Sequence, residues 1–501
     1  MLRKIQKKEI LKLFEIENVP FKILVLDSHT KDILAPLFKL SEFRDAGICA
    51  HFLITNAKTA INELPAIYYV SDFSALTPDI LKLLYSNYYI YSSSQIKRNE
   101  LENLAVKLSE TQQAKRIKCI GDTFTDFISL QSNLFTLNLK DSYIKDYSRE
   151  IVTGLFSVFA TVKSHPLIIG NLHTTGIKNN ILKLLENKIR QTKILKNDAV
   201  KRPLLILVDR DIDLVTPLMH SLGFLEIIDD LFDLELNKVN LGDSTMNIDT
   251  DSEFFENQWF NEFVEVVELI NTEVLTFKKE MAIKNLNASD ITKMLEVAPE
   301  LQKKNEVVTN LMNISLKAVQ EIKKRHLDEF YSMEHNFNKD DLMDLSEKGN
   351  DEDIIRLCIS LMGSKNANFI RPLLEKRNIQ TKVIEYMKKF FTEENSYGSF
   401  LTNKVKNLFF SKTNPMVTYV ESILLKIKSN SLSEYFETSS NESNILLSEI
   451  SEIFVFCNGG VTYTELSKIR EIEEKYKIPV VLGGTEIINA KKLISQIERL
   501  E

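Results

Sequence analysis

The sequence predicts an α/β plus α fold, with two parallel-sheet α/β domains and a mostly helical domain inserted in the second one. Strand-like and helix-like segments alternate through the first half of the chain, strand signals nearly vanish over residues 256–445, and the alternation returns over 446–501. Such alternation is typical of parallel sheets covered by helices on both faces. The 501 residues also exceed what one ordinary hydrophobic core organises.

A first α/β domain is predicted over residues 1–140. Its strands are short runs rich in β-branched and aromatic residues, bounded by polar or glycine-containing segments. Its helices are marked by residues that favour helix ends, such as Pro78 near one start and Gly47 after one end. The predicted strands are 21–27, 48–55, 66–72, 88–94 and 134–139, and the predicted helices are 33–47, 77–86, 99–113 and 117–130.

The second α/β domain is predicted from two separate stretches, 141–255 and 446–501. The C-terminal stretch reads as a small βαβα unit, which needs an existing sheet to join. We therefore expect its strands to complete the sheet of the second domain, with the helical domain 256–445 inserted between the two halves. The predicted strands are 166–170, 203–209, 452–457 and 478–482, and the predicted helices are 154–162, 179–193, 462–476 and 485–500.

The helical domain contains two long segments with 3.6-residue periodicity, 262–281 and 301–335. The second segment is charged on its outer face, which indicates a projecting helix. Its Val308, Leu311, Ser315 and Ile322 share one face, which either packs within a bundle or receives a partner helix.

Composition excludes several classes of function. The net charge of −7 gives no overall electrostatic footprint for nucleic acid or anionic lipid. No apolar run approaches the roughly 20 residues of a membrane span. The four cysteines have neither metal-ligand nor redox spacing, which indicates a reducing compartment and no metal or cofactor; they are Cys49, Cys119, Cys358 and Cys457.

Three aspartates follow a buried strand in the stretch LILVDRDID. Asp209 and Asp211 could hold Mg²⁺ for phosphoryl transfer, as in a phosphatase of the haloacid-dehalogenase type. The alternative is a structural turn, in which Asp209 caps the strand, Arg210 pairs locally and Asp213 bonds turn backbone. Asp213 stands where the phosphatase motif has threonine or valine, which favours the turn.

Other catalytic patterns are missing from the sequence. No HExxH motif occurs among the seven histidines, and none of the 14 glycines is followed by lysine, so there is no P-loop. The pairs Gly459-Gly460 and Gly483-Gly484 each follow a predicted strand, where they could cradle a phosphate or form a tight turn. This scarcity favours a binding protein over an enzyme.

A candidate binding feature lies in the first domain. Leu101, Leu104 and Ala105 fall on one face of the helix 99–113, together with Leu108. Ile117 and Ile120 are the apolar positions of the helix predicted next. This apolar face either covers the sheet or forms part of a surface pocket.

Long blocks of the sequence resemble the SM family, the Sec/Munc-type proteins that bind syntaxins in vesicle fusion. RPLLILVDRDIDLVTPLMHSLGFLEIIDDLFDLELNKV (202–239) is similar to the family signature. Three further blocks most resemble the Sly-type branch, which acts between endoplasmic reticulum and Golgi. These are KILVLDSHTKDILAPLFKLSEFRDAGICAHFLI, APELQKKNEVVTNLMNISLKAVQEIKKRHLDEFY and FCNGGVTYTELSKIREIEEKYKIPVVLGGTEIINAKKLISQI. The resemblance covers nearly the whole chain.

The resemblance implies a monomeric, three-domain arch without catalysis that binds a syntaxin-type SNARE and promotes assembly of the SNARE bundle. In the Sly-type branch, an aromatic residue of the syntaxin N-terminal peptide enters a pocket of the first domain. The matching positions here are Leu101, Leu104, Ala105, Ile117 and Ile120. The family hairpin bends at a proline that matches Pro299, and the following helix, with Val308, Leu311, Ser315 and Ile322, would contact SNARE helices.

The same resemblance implies a cytoplasmic protein that reaches endoplasmic reticulum and Golgi membranes indirectly, through SNAREs. The segment after Glu334 leaves no room for a long lid over the hairpin, so lid-type autoinhibition is not expected. Two alternatives remain at this stage, the Mg²⁺-dependent phosphatase centred on Asp209 and Asp211, and a tether that contacts membranes without SNAREs.

Overall fold

A computed structural model gives the fold of most of the chain. It describes residues 2–16, 19–56, 58–112, 114–171, 177–192, 195, 201–242, 244–284, 291–362, 365–392, 414–429, 431, 436–438 and 445–500. The chain is divided into two compact units, and each unit is assembled from separate stretches of sequence. Unit 1 comprises Met1–Asp209, Ile423–Asn458 and Tyr476–Glu486, and unit 2 comprises Arg210–Ser422, Gly459–Lys475 and Ile487–Glu501.

The strands lie where short β-branched and aromatic runs occur. The described strands are β1 Lys22–Leu26, β2 Ile48–Leu53, β3 Ala66–Val70, β4 Tyr88–Ser92, β5 Ile117–Asp122, β6 Ile128–Gln131, β7 Leu134–Thr136, β8 Leu167–Asn171, β9 Arg202–Asp209, β10 Lys238–Asn240, β11 Thr245–Asn247, β12 Phe436–Thr438, β13 Ile450–Asn458 and β14 Val480–Gly484.

The helices occupy the amphipathic segments between and beyond these strands. The described helices are α1 Leu2–Phe14, α2 Ser28–Leu34, α3 Leu40–Asp45, α4 Phe73–Ile80, α5 Arg98–Glu110, α6 Ser148–Val162, α7 Ile177–Thr192, α8 Phe224–Phe232, α9 Glu253–Gln258, α10 Phe263–Lys284, α11 Ile291–Arg325, α12 Leu327–His335, α13 Lys339–Leu345, α14 Asp351–Met362, α15 Ile370–Arg377, α16 Lys382–Thr392, α17 Pro415–Lys428, α18 Tyr463–Tyr476 and α19 Ala490–Glu498.

Unit 1 holds two largely parallel sheets. The first has the order β2-β1-β3-β4-β5 and is parallel throughout. The second has the order β12-β8-β9-β13-β14-β7-β6, with β12 and β6 as antiparallel edge strands. Every side chain of β1 and β3 is buried, which is typical of central strands in a parallel sheet covered on both faces. The C-terminal strands β13 and β14 lie in the middle of the second sheet, as the sequence predicts.

The hydrophobic cores follow the two sheets. Buried side chains of β1, β3 and β4 pack with those of α4 and α5 in the first core. In the second core, α6 and α7 pack on the strands, with α1 adding Leu2. Unit 2 is mostly helical. In it, α8, α10 and α11 pack against one another, α11 contacts α12, α12 contacts α14, and α14 contacts α16. The predicted fold class, parallel-sheet α/β regions plus an inserted helical region, is confirmed.

Four predicted elements differ from the structure in detail. The segment 117–130, predicted as a helix, forms β5 and β6, and the predicted strand 134–139 pairs in the second sheet as β7. The predicted helix 33–47 is split into α2 and α3 around Pro36, which cannot donate a helical hydrogen bond. The predicted helix 301–335 breaks at His326, whose φ of 56° lies in the left-handed region.

Candidate binding surfaces

The apolar residues predicted in the first domain meet at one edge of the first sheet. Leu104 and Leu108 of α5 are part of the first core, while Ile117 and Ile120 of β5 are half-buried and pack against that core. Leu101 remains 40% exposed, and Ala105, one turn further along α5, is exposed too. These residues form the α5–β5 patch, defined by Leu101, Ala105, Ile117 and Ile120.

An irregularity in β5 puts its two isoleucines on the same face. Ile117 lies opposite Tyr88, and Ile120 lies opposite Ile90, because the register shifts by one residue between Tyr88 and Tyr89. Tyr88 and Ile90 are two apart on β4 and so point to the same side of the sheet. Without the shift, residues three apart on a strand would face opposite sides. Ile117 and Ile120 therefore share one face of the sheet, in a strand and not in the helix that the sequence predicts.

Leu104 is buried, although the sequence pattern groups it with the exposed Leu101 on one face of the helix. Its side chain is 1% exposed and belongs to the first core. A charged substitution there would bury an unpaired charge and unfold the domain, so such a variant reports on folding. On the face of α5 that contains Leu104, the accessible apolar positions are Leu101 and Ala105.

The two long helices of unit 2, α10 and α11, pack against each other, and Lys304 of α11 pairs with Glu273 of α10 at 2.9 Å. Pro299 lies inside α11, so it is not at the bend between the helices, and the connecting residues 285–290 are outside the described part. Proline in a helix interior removes one backbone hydrogen bond and strains the preceding turn.

The residues predicted to face SNARE helices are mostly covered within unit 2. Val308, Leu311 and Ser315 are buried, and the Ser315 hydroxyl donates to the Leu311 carbonyl at 2.8 Å. Ile322 is half-buried. These side chains are packing residues in the free protein, because the same apolar stripe that suits a partner also suits the neighbouring helices. Among the described side chains of this helix pair, the large exposed apolar ones are Val264, Leu269, Leu275 and Leu316.

The aspartate-rich segment forms a turn built around a buried ion pair. The Arg210 guanidinium is fully buried and donates two hydrogen bonds to Glu465, at 2.9 and 2.6 Å. Its Nε donates to the Asp213 carbonyl at 2.8 Å. The Asp213 carboxylate accepts from the backbone N–H groups of Val215 and Thr216, at 3.0 and 2.9 Å. The segment therefore forms a turn, but Arg210 pairs with the distant Glu465, whereas the sequence predicts a local partner.

Glu465 links the turn to the C-terminal helix α18. Its Oε2 accepts from the Thr462 backbone N–H at 3.0 Å, and the Thr462 hydroxyl accepts from the Glu465 N–H at 3.1 Å. This reciprocal pair is a capping box, which satisfies N–H groups at the helix start. Asp209, at the end of β9, accepts from the Asn458 side-chain amide at 3.3 Å. In the described part of the chain, no three histidine, cysteine, aspartate or glutamate side chains gather in a way that could hold a metal ion.

The two glycine pairs also have packing roles. A Cβ on Gly483 would lie 2.2 Å from the Phe135 ring, so glycine lets that ring pack flat on β14. Gly459 and Gly460 have φ values of 93° and 95°, which other residues rarely adopt. The Gly460 carbonyl accepts from Arg210 at 3.3 Å. We therefore interpret both pairs as structural.

A buried charged network in unit 2 is not predictable from the sequence pattern. His220 Nδ1 lies 2.6 Å from Glu334 Oε1, and its Nε2 lies 3.2 Å from Asp353 Oδ1. Burial and Arg356 oppose protonation, but the two carboxylates outweigh them and raise the pKa of His220. Burial would raise the pKa of Asp353, but hydrogen bonds from His220 and Arg325 hold it well below its usual range. Glu334 and Asp353 lie 114 and 133 residues from His220 along the chain, so no local signal marks this histidine as part of a network.

The family model described as the Sec1 family matches residues 22–496 of this chain. The chain belongs to the Sec1 family. Among curated Sec1-family relatives, the SEC1 family transport protein SLY1 of Encephalitozoon cuniculi (strain GB-M1) is 38% identical over 519 residues, covering 99% of each chain. The Sec1 family domain-containing protein 1 of Homo sapiens is 25% identical over 597 residues, covering 96% of this chain and 93% of the relative.

Solved structures of Sec1-family proteins have the same fold. The structure of Sly1p in complex with an N-terminal peptide of Sed5p matches with a TM-score of 0.82 at 22% identity, covering 99% of this chain and 98% of the other. That of the SM protein Vps45 in complex with the Qa SNARE Tlg2 (1-310) matches with a TM-score of 0.81 at 17% identity, covering 99% and 97%.

Membership of the Sec1 family removes the phosphatase alternative. The family match includes the whole segment LILVDRDID, and its Arg210 and Asp213 are engaged in the turn around Glu465. In the part of the chain that the structure describes, no helix combines the length and the apolar character needed to cross a membrane.

Proposed function

We propose that this Sec1-family chain binds a syntaxin-type SNARE and promotes assembly of SNARE complexes in vesicle fusion, without catalysing a covalent reaction. The observation that carries the proposal is the α5–β5 patch, in a chain with the fold of Sly1p, which was solved with an N-terminal peptide of Sed5p. Membership of the Sec1 family and 38% identity to a transport protein support it. The Sly-type names among the relatives support action between endoplasmic reticulum and Golgi, at the cytoplasmic membrane face.

The α5–β5 patch suits a short peptide with an aromatic side chain. Leu101 and Ala105 provide one exposed wall on α5, and the half-buried Ile117 and Ile120 provide the other on β5. Leu104 anchors α5 to the same core against which Ile117 and Ile120 pack, so we expect little rearrangement on binding. Burying one aromatic ring with neighbouring aliphatic groups contributes about 2–4 kcal/mol.

A second contact on α10 and α11 would help to order the SNARE helices. Val264 and Leu275 lie three helical turns apart on α10, so they share an exposed face, and Leu316 is exposed on α11. A disordered SNARE segment loses conformational entropy when it becomes helical. Holding the SNARE by its N-terminal peptide makes the second contact effectively intramolecular, which raises its effective concentration.

A matched pair of variants tests the peptide site. Leu101→Lys should weaken binding of a syntaxin N-terminal peptide more than tenfold. The substitution removes an apolar contact, and the bound peptide would have to bury the lysine charge. Val106→Lys places the same charge on a neighbouring position of α5 that is 58% exposed, outside the patch, and should bind normally. Titration calorimetry measures both affinities, and circular dichroism checks that both variants fold. Equal affinities for the two variants would remove the α5–β5 patch as the peptide site.

A further inference from the structure

The N-terminal helix α1 concentrates positive charge in an acidic protein. It carries five basic residues and one acidic residue within LRKIQKKEILKLF, whereas the whole chain has a net charge of −7. The overall charge therefore hides a strongly basic local surface. Such local fields, more than net charge, decide which charged surfaces a protein approaches.

Packing in unit 1 fixes the direction in which these charges point. Leu2, Ile10 and Phe14 are buried. The Arg3 guanidinium donates to the carbonyls of Ser129 and Leu130, at 3.1 and 3.0 Å, which fastens α1 to β6. With one face of α1 held in this way, the lysines at every fourth position lie on the opposite, exposed face; they are Lys4, Lys8 and Lys12.

A groove of about 450 Å³ runs between α1 and the end of α6. Glu9 in this groove is paired with Lys12 at 2.9 Å and with Lys163 at 3.0 Å. Burial would raise the pKa of Glu9, but these two lysines lower it, so this carboxylate stays ionised. Four lysines against one glutamate leave the groove positive. The α1–α6 groove is defined by the residues that line it, which are Lys4, Ile5, Lys8, Glu9, Lys12, Thr161, Val162 and Lys163.

We propose that the α1–α6 groove binds the phosphorylated head group of an anionic lipid at a membrane surface. Lysine ammonium groups bind phosphate as compact point charges. The groove offers aliphatic side chains between its lysines, and its Thr161 hydroxyl already donates to the Phe124 carbonyl. An acidic peptide would need hydrogen-bond partners for its backbone, whereas a phosphorylated head group needs mainly positive charge and a concave surface.

The lipid contact gives the protein a second, electrostatic attachment, independent of the proposed SNARE sites. A basic group near an anionic membrane strengthens binding by about fivefold. The remainder of the chain, being acidic, is repelled by the same membrane. The groove would therefore turn the α1 side of unit 1 towards the lipid.

Vesicle flotation of the full chain tests the proposal without any SNARE present. Vesicles of phosphatidylcholine alone should not bind, and vesicles that also contain a phosphorylated phosphatidylinositol should bind. Lys4→Glu with Lys8→Glu should reduce that binding more than tenfold. The matched control, Lys107→Glu with Lys317→Glu, makes the same charge change at exposed lysines of α5 and α11 and should bind within about twofold of the unmodified chain.

Three results would overturn the proposal. Equal loss in both double variants would mean that only net charge matters. Absence of flotation with the phosphorylated lipid would remove the membrane ligand. Binding of soluble inositol hexakisphosphate without vesicle binding would assign the groove to a free anion. Thermal denaturation of both double variants, whose changed side chains are exposed, verifies that they fold.

Discussion

Replacing Arg210 by methionine tests whether the aspartate-rich turn is a structural support. Methionine fills a similar volume but leaves Glu465 buried without its cationic partner. The substitution removes two hydrogen bonds to Glu465, one to the Asp213 carbonyl and one to the Gly460 carbonyl. All of these groups lie in unit 2, so the effect should appear as reduced stability of that unit.

The expected magnitude follows from the burial of the pair. Both side chains are 0% exposed, and breaking a buried ion pair by removing one partner costs about 3–5 kcal/mol. Adding Glu465→Gln to Arg210→Met should restore at least about 1 kcal/mol, because it removes the stranded charge and keeps an acceptor for the Thr462 N–H. The second substitution should therefore stabilise the first variant.

Tryptophan fluorescence during urea denaturation measures this effect directly. Trp259 is the single tryptophan of the chain, is 8% exposed and lies in unit 2 with Arg210. Its signal therefore reports the unit that contains the ion pair. A loss below about 1 kcal/mol for Arg210→Met, or a further loss on adding Glu465→Gln, would refute a buried structural pair.

Two further predictions concern stability. The pKa of His220 is raised in the folded protein, so its protonated form contributes to stability fully below the ordinary histidine pKa, and this contribution is lost as the pH rises through the folded pKa. His220→Gln should therefore destabilise unit 2 more at pH 6 than at pH 9, as measured by Trp259 fluorescence during urea denaturation. An equal loss of stability at the two pH values would contradict this prediction. Gly483→Ala should destabilise the second sheet by about 1–3 kcal/mol in thermal denaturation, since its Cβ would lie 2.2 Å from the Phe135 ring. Gly121→Ala, which meets no atom closer than 3.8 Å, is the control, and similar losses in both would rule out the clash.

Local patterns predicted most strands and helices, but not every pairing. The segment around Ile117 and Ile120 was predicted as a helix because residues three apart suit one helical face. The same spacing occurs in β5 through a register shift. Partner choice depends on residues far away in sequence, which is why β7 joins the second sheet and not the first. No local periodicity contains that information.

The sequence places the residues of the candidate site on elements, but it does not give the burial of each side chain. Periodicity places Leu101 and Leu104 on one helix face, but only packing shows that Leu101 is exposed and Leu104 is core. The same limit applies to Val308 and Leu311, which are covered within unit 2. An apolar stripe specifies a direction around the helix axis, and neighbouring elements decide which part of the stripe remains open.

The strand order of the second sheet has a consequence for synthesis on the ribosome. β13 sits between β9 and β14, and β14 sits beside β7, yet roughly 240 residues separate β9 from β13. At about 5–20 residues per second, β9 and β7 of the growing polypeptide each remain without one neighbouring strand for about 10–50 s. Unpaired strand margins invite pairing with other chains, so a nascent molecule stalled within the helical insertion should depend strongly on chaperones.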